Sequence, residues 1–371
     1  MKKIAIIGAG AAGLFAAARL SQRKDFNVVV FEKAPKVGTK LRASGGGRAN
    51  ILNTHIQGAF YNHPDFVDNL LKNVDFKVIK EEFERMGLRL SADEEGRVYP
   101  ATLFSQTVID VILRHFHENA VIRTDFEVHK LRQRDQKWQV NEEPDLFDAV
   151  ILASGSPAGM TAKNRQSYNL YLSDFKLNHE KLSASLVGFR LNDYPKELSG
   201  CRARAAVTLL QNGASVYSEI GEVMFKDDGI SGIVVLNVSS YYNRLKMKDN
   251  CSLSLNFLFD DNRLDIPSYL KKYGDLSGIL HPKLNRFYQK KPFDLRNFQM
   301  KICGVYDLEF AQVCHGGIAL DELGAAFSLR RWTNLYAVGE MLDIDGVCGG
   351  YNLFFAFASA YCAAEGIRQN G

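Results

Sequence analysis

The sequence predicts an α/β protein in which both ends of the chain build one domain and the middle forms a separate β-rich domain. Three observations predict this fold class. A βαβ unit with a glycine-rich turn opens the chain, short β-type runs alternate with turns beyond about residue 184, and α/β patterns resume at about residue 304. We therefore assign residues 1–183 and 304–371 to the first domain and residues 184–303 to an insertion.

The composition limits the class of protein further. The 371 residues are 46% hydrophobic and 24% charged, which is typical of a globular protein and excludes a disordered one. The formal net charge of +4 gives no reason to expect a nucleic-acid or membrane partner. The six cysteines include no C-x-x-C pair, so neither a metal site nor a disulfide framework is expected. No apolar run approaches the roughly 18 residues that cross a bilayer. These features predict a cytoplasmic protein, and they do not indicate its oligomeric state.

The first element is a strand–turn–helix–strand unit. Residues 4–7 are a short apolar run, as in a buried parallel strand, and residues 27–31 form a second run rich in valine. Residues 11–20 are rich in alanine, which favours a helix that packs closely on the sheet. The sequence therefore predicts a βαβ unit at the start of the chain.

The turn inside this unit carries a G-x-G-x-x-G motif at Gly8, Gly10 and Gly13. Gly8 permits a tight turn, Gly10 lets a pyrophosphate approach the helix N-terminus, and Gly13 lets the helix approach the strand. Glu32 ends the second strand, where it can accept hydrogen bonds from an adenosine ribose and disfavours a 2′-phosphate. NAD and FAD share this fingerprint. The flanking residues assigned to the same cofactor site are Ala11, Ala12 and Lys33.

Two later strands end in small or acidic residues. Residues 147–153 predict a buried strand that stops at Ala153, Ser154 and Gly155. Residues 335–338 predict another, followed by Gly339 and Glu340. In FAD-binding domains of the glutathione-reductase type, a comparable acid lies at the ribityl-pyrophosphate portion of the cofactor. This segment favours FAD over NAD, and we assign all five residues to the cofactor site.

A glycine-rich stretch, residues 343–352, leads into an apolar helix predicted over residues 353–367. Free N–H groups at such a helix start are electropositive and would stabilise negative charge on a reduced isoalloxazine ring. An ordinary helix cap is the alternative. The residues assigned here to cofactor binding are Asp345, Gly349, Gly350, Tyr351 and Asn352.

The loop of residues 38–53 is rich in glycine, lysine and arginine and has no helical or strand periodicity. Its glycines allow close approach to a flat ring or a phosphate, and Arg48 can make bidentate contacts. A mobile surface loop is the alternative. The residues assigned to cofactor binding are Lys40, Ser44, Gly45, Gly46, Gly47, Arg48 and Asn50.

Three side chains are candidates for catalysis. His315 precedes two glycines and can act as a proton donor, although histidines in turns are more often structural. Cys348 has no partner cysteine nearby in sequence, so redox activity competes with simple packing. Tyr351 can stack on a ring or fill the core.

The insertion is predicted to be an antiparallel barrel or sandwich followed by short helices at about residues 263–297. Within those helices, residues 283–296 are basic and interleaved with aromatic residues. This is the place where RNA would bind, although most such short runs are solvated surfaces. The strands are predicted at residues 185–191, 205–210, 215–220, 232–238 and 251–259.

Seven sequence blocks together resemble one family, the bacterial FAD-dependent oxidoreductases of the BaiN-like or aminoacetone-oxidase-like type. The resemblance implies a two-part FAD domain of the Rossmann type, an inserted β-barrel-like domain with a small helical piece, and FAD as cofactor. It also implies a reaction linked to NADH or NADPH. The blocks are GAGAAG, FEK, SGGGRAN with Asn53, GRVYP at 96–100, GEVMFKDDGISG at 221–232, AQVCHGG at 311–317 and GEMLDIDGVCGGYN at 339–352.

The sequence therefore predicts an FAD-dependent oxidoreductase whose flavin is reduced by NADH or NADPH and reoxidised by an organic substrate or dioxygen. A small-molecule substrate is the expected partner, in a pocket between the insertion and the flavin. One alternative is a non-catalytic flavin-dependent sensor or RNA-associated flavoprotein. Another is a plain NAD dehydrogenase.

Overall fold

The computed structural model describes residues 1–161, 175–192, 194–261 and 263–369. The chain divides into two compact units. The first comprises Met1–Pro157, Thr161–Leu182 and Gly316–Gly371, and the second comprises Ala158–Met160 and Ser183–His315. The first unit contains a parallel sheet built from both chain ends, and the second contains a closed barrel. The predicted fold class is confirmed.

The α-helices within the described ranges are α1 (Ala11–Leu20), α2 (Thr39–Ala43), α3 (Pro64–Leu71), α4 (Phe76–Arg85), α5 (Ser105–Arg114), α6 (Ile233–Asn243), α7 (Ile266–Tyr273), α8 (Pro282–Lys290) and α9 (Tyr351–Gln369). The strands of the first half are β1 (Lys2–Ile7), β2 (Phe26–Phe31), β3 (Leu52–Asn53), β4 (Leu90–Ala92), β5 (Arg97–Pro100), β6 (Ala120–Arg123), β7 (Leu131–Arg134), β8 (Lys137–Val140), β9 (Leu146–Phe147) and β10 (Ala149–Leu152). The later strands are β11 (His179–Ser185), β12 (Phe189–Leu191), β13 (Arg202–Gln211), β14 (Ala214–Phe225), β15 (Gly229–Ser231), β16 (Cys251–Asn256), β17 (Phe298–Val305), β18 (Val313–Ile318) and β19 (Leu335–Ala337).

The main sheet of the first unit has five parallel strands in the order β19-β10-β1-β2-β6. β10, β19 and residues 4–7 of β1 are buried without alternation because both faces of the middle of a parallel sheet are covered. Ile4, for example, is fully buried and pairs with Val28 on one side and Ala149 on the other. β19 comes from the C-terminal part of the chain, so the sheet needs both ends.

Helices α1 and α9 pack together against this sheet. The Phe15 ring of α1 lies 5.2 Å from the Phe357 ring of α9, between centroids. Near the end of α1, the nearly buried Arg19 forms ion pairs with Glu82 of α4 and with Glu365 of α9. Breaking a buried ion pair leaves an uncompensated charge, so this network fixes the position of the three helices.

Three smaller sheets lie outside the main sheet and the barrel. β3, β5 and β4 form one antiparallel sheet, and β7, β8 and β9 form another. β11 pairs with β18. These short strands were not predicted, apart from the residues of β11 and β9 that overlap longer predicted runs.

The second unit is a six-stranded closed barrel in the order β12-β15-β14-β13-β16-β17. Alternating residues of its strands point inward, such as Ala205, Val207 and Leu209 of β13, which are fully buried. Helices α7 and α8 lie within residues 263–297, where short helices were predicted.

Three local predictions in the second unit are wrong. Residues 232–238 form the start of α6 instead of a strand. Val234, Val235 and Val238 follow helical spacing and are almost fully buried, and this packing outweighs the strand preference of valine. The predicted strand 185–191 is split into β11 and β12. The predicted strand 251–259 ends at Asn256.

The predicted return to the first domain at residue 304 differs from the observed division after His315. β17 extends to Val305 and pairs with β12 and β16, so these residues complete the barrel. Across the described residues, none of the helices combines the length and the apolarity that crossing a membrane requires.

Candidate cofactor site

Four of the predicted cofactor-binding segments follow adjacent strands of the parallel sheet. Strand β1 ends immediately before Gly8 and β2 immediately before Glu32. Likewise, β10 ends before Ala153 and β19 before Val338. Because the strands are parallel and neighbouring, these four positions meet at one edge of the sheet, the carboxyl edge where ligands of such folds bind. Backbone hydrogen bonds join them: Gly8 N to Phe31 O (2.8 Å), Ala153 N to Ile7 O (2.8 Å) and Val338 N to Leu152 O (3.0 Å).

The first glycine turn leaves space at the start of α1. Gly10 is the N-cap of this helix, no side chain caps it, and its first turn has no acidic residue. A Cβ atom at Gly10 would have no heavy atom within 4 Å, whereas one at Gly13 would collide with the Gly8 carbonyl oxygen. The start of α1, where the first N–H groups have no partner within the helix, therefore has open space at Gly10 that suits a pyrophosphate.

Glu32 is fixed beside this turn by backbone donors. Its Oε2 accepts from Ala9 N and its Oε1 accepts from Ala34 N, both at 2.8 Å. Each carboxylate oxygen can accept more than one hydrogen bond. Glu32 is therefore held in place with acceptor capacity left for further hydrogen bonds, and its contact with an adenosine ribose stays a prediction. Lys33, the next residue, is exposed.

Lys40 of α2 joins this edge to the C-terminal segment. Its Nζ lies 2.7 Å from Glu340 Oε2 and donates to Ser156 Oγ at 3.2 Å. The preceding Gly339 donates its N–H to Ser359 Oγ of α9 at 2.9 Å. A Cβ atom at Gly339 would lie 3.2 Å from Ala12 Cβ. The two predicted segments near the two chain ends therefore do converge.

The glycine-rich loop forms a short 3₁₀ turn at Ser44–Gly47. Ser44 Oγ donates to Leu41 O at 2.7 Å. A Cβ atom at Gly46 or Gly47 would meet no heavy atom within 4 Å, and the same holds at Gly155. Arg48 is exposed, with its guanidinium carbon 5.8 Å from the centre of the Tyr99 ring. These glycines thus leave room for a flat or anionic ligand.

Two asparagines connect this loop to the start of α9. Asn50, with its amide oriented to satisfy both neighbours, donates to Leu52 O (3.0 Å) and accepts from Gly350 N (3.3 Å). The buried Asn53 donates to Gly349 O at 2.8 Å. Asn53 was predicted only as part of a motif, although a buried amide needs hydrogen-bond partners and the backbone is a common one.

The two acids of the C-terminal stretch point into the protein. Asp343 Oδ2 lies 2.8 Å from His63 Nε2, and its Oδ1 accepts from Asn62 Nδ2 at 3.0 Å. Asp345 is fully buried, and its N–H donates to Asn62 Oδ1 at 2.9 Å. Sequence reasoning missed Asn62 and His63. The only local signal is that His63 precedes Pro64 at the start of α3.

The three catalytic candidates lie in different surroundings. The Tyr351 ring is packed 4.8 Å from Phe60, between centroids, and the Tyr351 carbonyl accepts from Tyr61 Oη at 2.8 Å. Burial raises the pKa of Tyr61 well above its usual value, so this hydroxyl stays protonated. Cys348 is half-buried in the C-terminal turn. His315 is half-buried at the end of the second unit, and the catalytic role of each of the three stays a prediction.

Residues 2–366 match the HI0933-like protein Rossmann domain. The chain belongs to this HI0933-like family. This finding confirms the predicted family resemblance. The glycine positions that leave space, the uncapped start of α1 and the fixed Glu32 all fit a flavin dinucleotide.

Relatives of this chain match it over nearly its whole length. It is 27% identical over 412 residues to a 3-dehydro-bile acid delta(4,6)-reductase of Clostridium scindens, with 100% of both chains covered. It is 26% identical over 408 residues to a ribosomal RNA dihydrouridine synthase of Haemophilus influenzae, with 98% of both chains covered. A solved 3-ketosteroid delta1-dehydrogenase of Sterolibacterium denitrificans shares the fold over all of both chains, at a TM-score of 0.53 and 11% identity.

Proposed function

We propose that this protein binds FAD, receives a hydride from NADH or NADPH, and reduces an organic acceptor in which a C=C bond is conjugated with a carbonyl group. The convergence of Gly10, Glu32, Lys40 and Gly339 at one sheet edge carries the cofactor part of this proposal. We place the reaction in the cytoplasm, with a small molecule as the substrate.

Different residues of the first unit bind different parts of the cofactor. The start of α1 holds the pyrophosphate through its free N–H groups, and Glu32 accepts hydrogen bonds from the ribose. Asn50 and Asn53 hold Gly349 and Gly350 so that the start of α9 presents N–H groups to the pyrimidine edge of the ring. FAD, when bound, supplies the hydride-transfer chemistry.

The names of two relatives support the acceptor class. A 3-dehydro bile acid with double bonds at positions 4 and 6 is a conjugated dienone, and dihydrouridine is uridine with its conjugated C=C bond saturated. In both cases a hydride adds to a carbon conjugated with the carbonyl, and a proton adds to a second carbon. The balanced reaction consumes one NADH or NADPH and one proton for each bond reduced.

An absorbance experiment tests this proposal. We expect the purified protein to be yellow, to lose its flavin absorbance anaerobically with NADH or NADPH, and to regain it when a 4,6-dien-3-one bile acid or a simple cyclic enone is added. A colourless protein that FAD cannot reconstitute would contradict the cofactor. Reoxidation by dioxygen alone, with every enone inert, would contradict the acceptor class.

The second candidate acceptor is a uracil base in RNA. Two relatives favour it: the Haemophilus influenzae synthase and a ribosomal RNA dihydrouridine synthase of Escherichia coli, 24% identical over 394 residues. If this candidate is correct, ribosomal RNA incubated with the holoenzyme and NADPH gains two hydrogens at a uridine, as mass spectrometry of the digested RNA detects. An unchanged nucleoside composition would exclude it. Flavin reduction that alters partner affinity without turnover would instead favour the flavin-dependent sensor.

A further inference from the structure

The positive charge of this protein is concentrated in one part of the chain. Residues 263–297, which we call the basic helical segment, contain eight lysines and arginines against three aspartates, a net charge of +5. The whole chain has a net charge of +4, so all other residues together sum to −1. The cations of the segment are Arg263, Lys271, Lys272, Lys283, Arg286, Lys290, Lys291 and Arg296.

The three aspartates of the segment bond to its backbone and do not neutralise these cations. Asp265 accepts from Ser268 N at 3.1 Å and caps α7, Asp275 accepts from Ser277 N at 2.9 Å, and Asp294 accepts from the N–H two residues later at 2.9 Å. Within the described part of the chain, seven of the eight cations, all except Arg296, form no ion pair. Cations of the first unit do form such pairs, for example Lys3 with Asp145 and Arg123 with Glu143.

Hydrogen bonds hold the segment together as one lobe. Asn285 of α8 donates to Asp275 Oδ2 at 3.2 Å and accepts from Leu276 N at 3.1 Å, which ties α8 to the end of α7. Arg296 donates to Leu264 O at 2.8 Å, which ties the end of the segment to its beginning. The unpaired cations therefore belong to one compact piece of the second unit.

The surface of this lobe is cationic with one prominent aromatic ring. Lys271, Lys272, Arg286, Lys290 and Lys291 are exposed. The Tyr273 side chain is 58% exposed, and it is the large hydrophobic residue that the described part of the segment leaves open to solvent. Lysines and arginines with an exposed ring match the phosphates and bases of a nucleic acid, whereas a membrane surface would require more exposed apolar side chains.

We propose that the basic helical segment is a docking surface for RNA, in which the lysines and arginines bind backbone phosphates and Tyr273 stacks on a base. The choice of RNA rests on the second candidate function, which this surface deepens. The net charge of the whole chain does not reveal this surface, because it does not show that the positive charge is concentrated in one segment while the remaining residues have a slight negative excess.

The test uses the full-length holoenzyme and a fluorescein-labelled single-stranded RNA of about 20 nucleotides, longer than a typical single-domain site. Fluorescence anisotropy measures affinity at several salt concentrations. The test variant carries Lys271→Gln, Lys272→Gln, Lys290→Gln and Lys291→Gln. The matched control carries Lys24→Gln, Lys77→Gln, Lys226→Gln and Lys246→Gln, four exposed lysines outside the segment with the same change in net charge.

We expect the test variant to lose RNA affinity by about 100-fold at moderate salt and its salt slope to fall by about 2 to 3, since each lost phosphate contact on a single strand removes about 0.7 from the slope. Tyr273→Ala should weaken binding about tenfold. The control should stay close to wild type. Equal losses in test and control, or wild-type binding to anionic vesicles as tight as to RNA, would overturn the proposal.

The same preparations separate this proposal from the proposed reaction. FAD content and anaerobic reduction by NADPH are measured in each variant, and we expect both to match wild type in the test variant. Loss of RNA affinity with intact flavin reduction supports the docking surface. A holoenzyme that reduces small enones but binds no RNA would overturn the docking surface and leave the enone-reductase proposal standing.

Discussion

The first unit contains two glycine-rich helix starts, those of α1 and α9. They differ in what lies at the position that a side chain on the glycine would take. At the start of α1, the position of a Cβ atom on Gly10 is empty. At the start of α9, a Cβ atom on Gly350 would collide with the Leu52 carbonyl oxygen, and one on Gly349 would lie 3.0 Å from the Tyr351 ring. The first start leaves space for a ligand, while the second lets two protein segments approach closely.

This difference shows that a glycine motif has two physical explanations that sequence alone does not separate. Both starts were predicted to contact the cofactor from similar patterns of glycine before a helix. At α9 the tightly packed glycines instead lock the loop of Asn50 and Asn53 against the helix start. The cofactor contact at α9 is therefore expected through the N–H groups that this packing orients.

The largest expected effect is at Gly350. Its φ of +96° and the nearby Leu52 carbonyl leave no place for a methyl group, so Gly350→Ala should lower the free energy of unfolding by about 4 kcal/mol or more. Thermal unfolding measures this. Gly46→Ala is the matched control, with positive φ but open space, and should cost about 1 kcal/mol. Similar melting temperatures for the two variants would contradict the view that Gly350, unlike Gly46, is required by close packing.

The next effect is on cofactor binding at Gly10. Gly10→Val should fold normally, because its side chain enters empty space, yet exclude the pyrophosphate and weaken FAD binding by about 100-fold, or about 2.7 kcal/mol. Flavin content after purification and melting of the apoprotein provide the two measurements. Gly13→Val, which collides with the Gly8 carbonyl, should instead unfold the protein. Stoichiometric flavin in the Gly10 variant would contradict the placement of the cofactor.

A smaller effect is expected at Asn53, which joins the glycine loop to the second helix start. Asn53→Ala leaves the half-buried Gly349 carbonyl and the His55 N–H without their partner, at a cost of about 2 kcal/mol. Urea unfolding measures the loss. Asn53→Asp removes the donor but keeps the acceptor, so we expect it to retain the His55 bond alone. An unchanged stability in both variants would show that the two segments are held by other contacts.

The smallest effect concerns the ion pair between the helices that follow the two starts. Burial raises the pKa of Glu365, but the hydrogen bond and charge of Arg19 outweigh it, and the net pKa lies below its usual value. The stabilisation is therefore present above the unfolded-state pKa of about 4.3 and is lost as pH falls through the lower folded-state pKa.

Glu365→Gln should cost about 1 kcal/mol at neutral pH and reduce the loss of stability in acid. Urea unfolding between neutral and acidic pH, with wild type in parallel, measures this. If the free energy of unfolding of the variant falls towards acidic pH as steeply as that of wild type, other carboxylates determine the loss of stability in acid.

The sequence predicted the elements whose signals are local. The strand 4–7, the turn at Gly8, Gly10 and Gly13, and Glu32 lie within one short stretch, and buried parallel strands are apolar throughout. The change of pattern beyond about residue 184 predicted the insertion, the segment that ends in Gly339 and Glu340 favoured FAD, and the family resemblance implied the same insertion and cofactor. The barrel itself was one of two predicted alternatives, because strand alternation does not distinguish a closed sheet from a sandwich.

Features that depend on distant residues were not predictable in this way. The valines of α6 favour a strand by propensity, and their helix forms because Val234 and Val238 are buried on one face. The pairing of Asn62 and His63 with Asp343 joins positions that are far apart in the chain. The ion pairing that distinguishes the first unit from the basic helical segment is likewise a property of the folded chain.

The order of segments along the chain has a consequence for biosynthesis. Every strand of the barrel has emerged once residue 305 leaves the ribosome, whereas the edge strand β19 and helix α9 of the first unit are made later. A nascent chain thus exposes an incomplete parallel sheet while its inserted barrel already has all its strands. A ligand that needs the complete sheet edge can therefore bind only after β19 and α9 have been made.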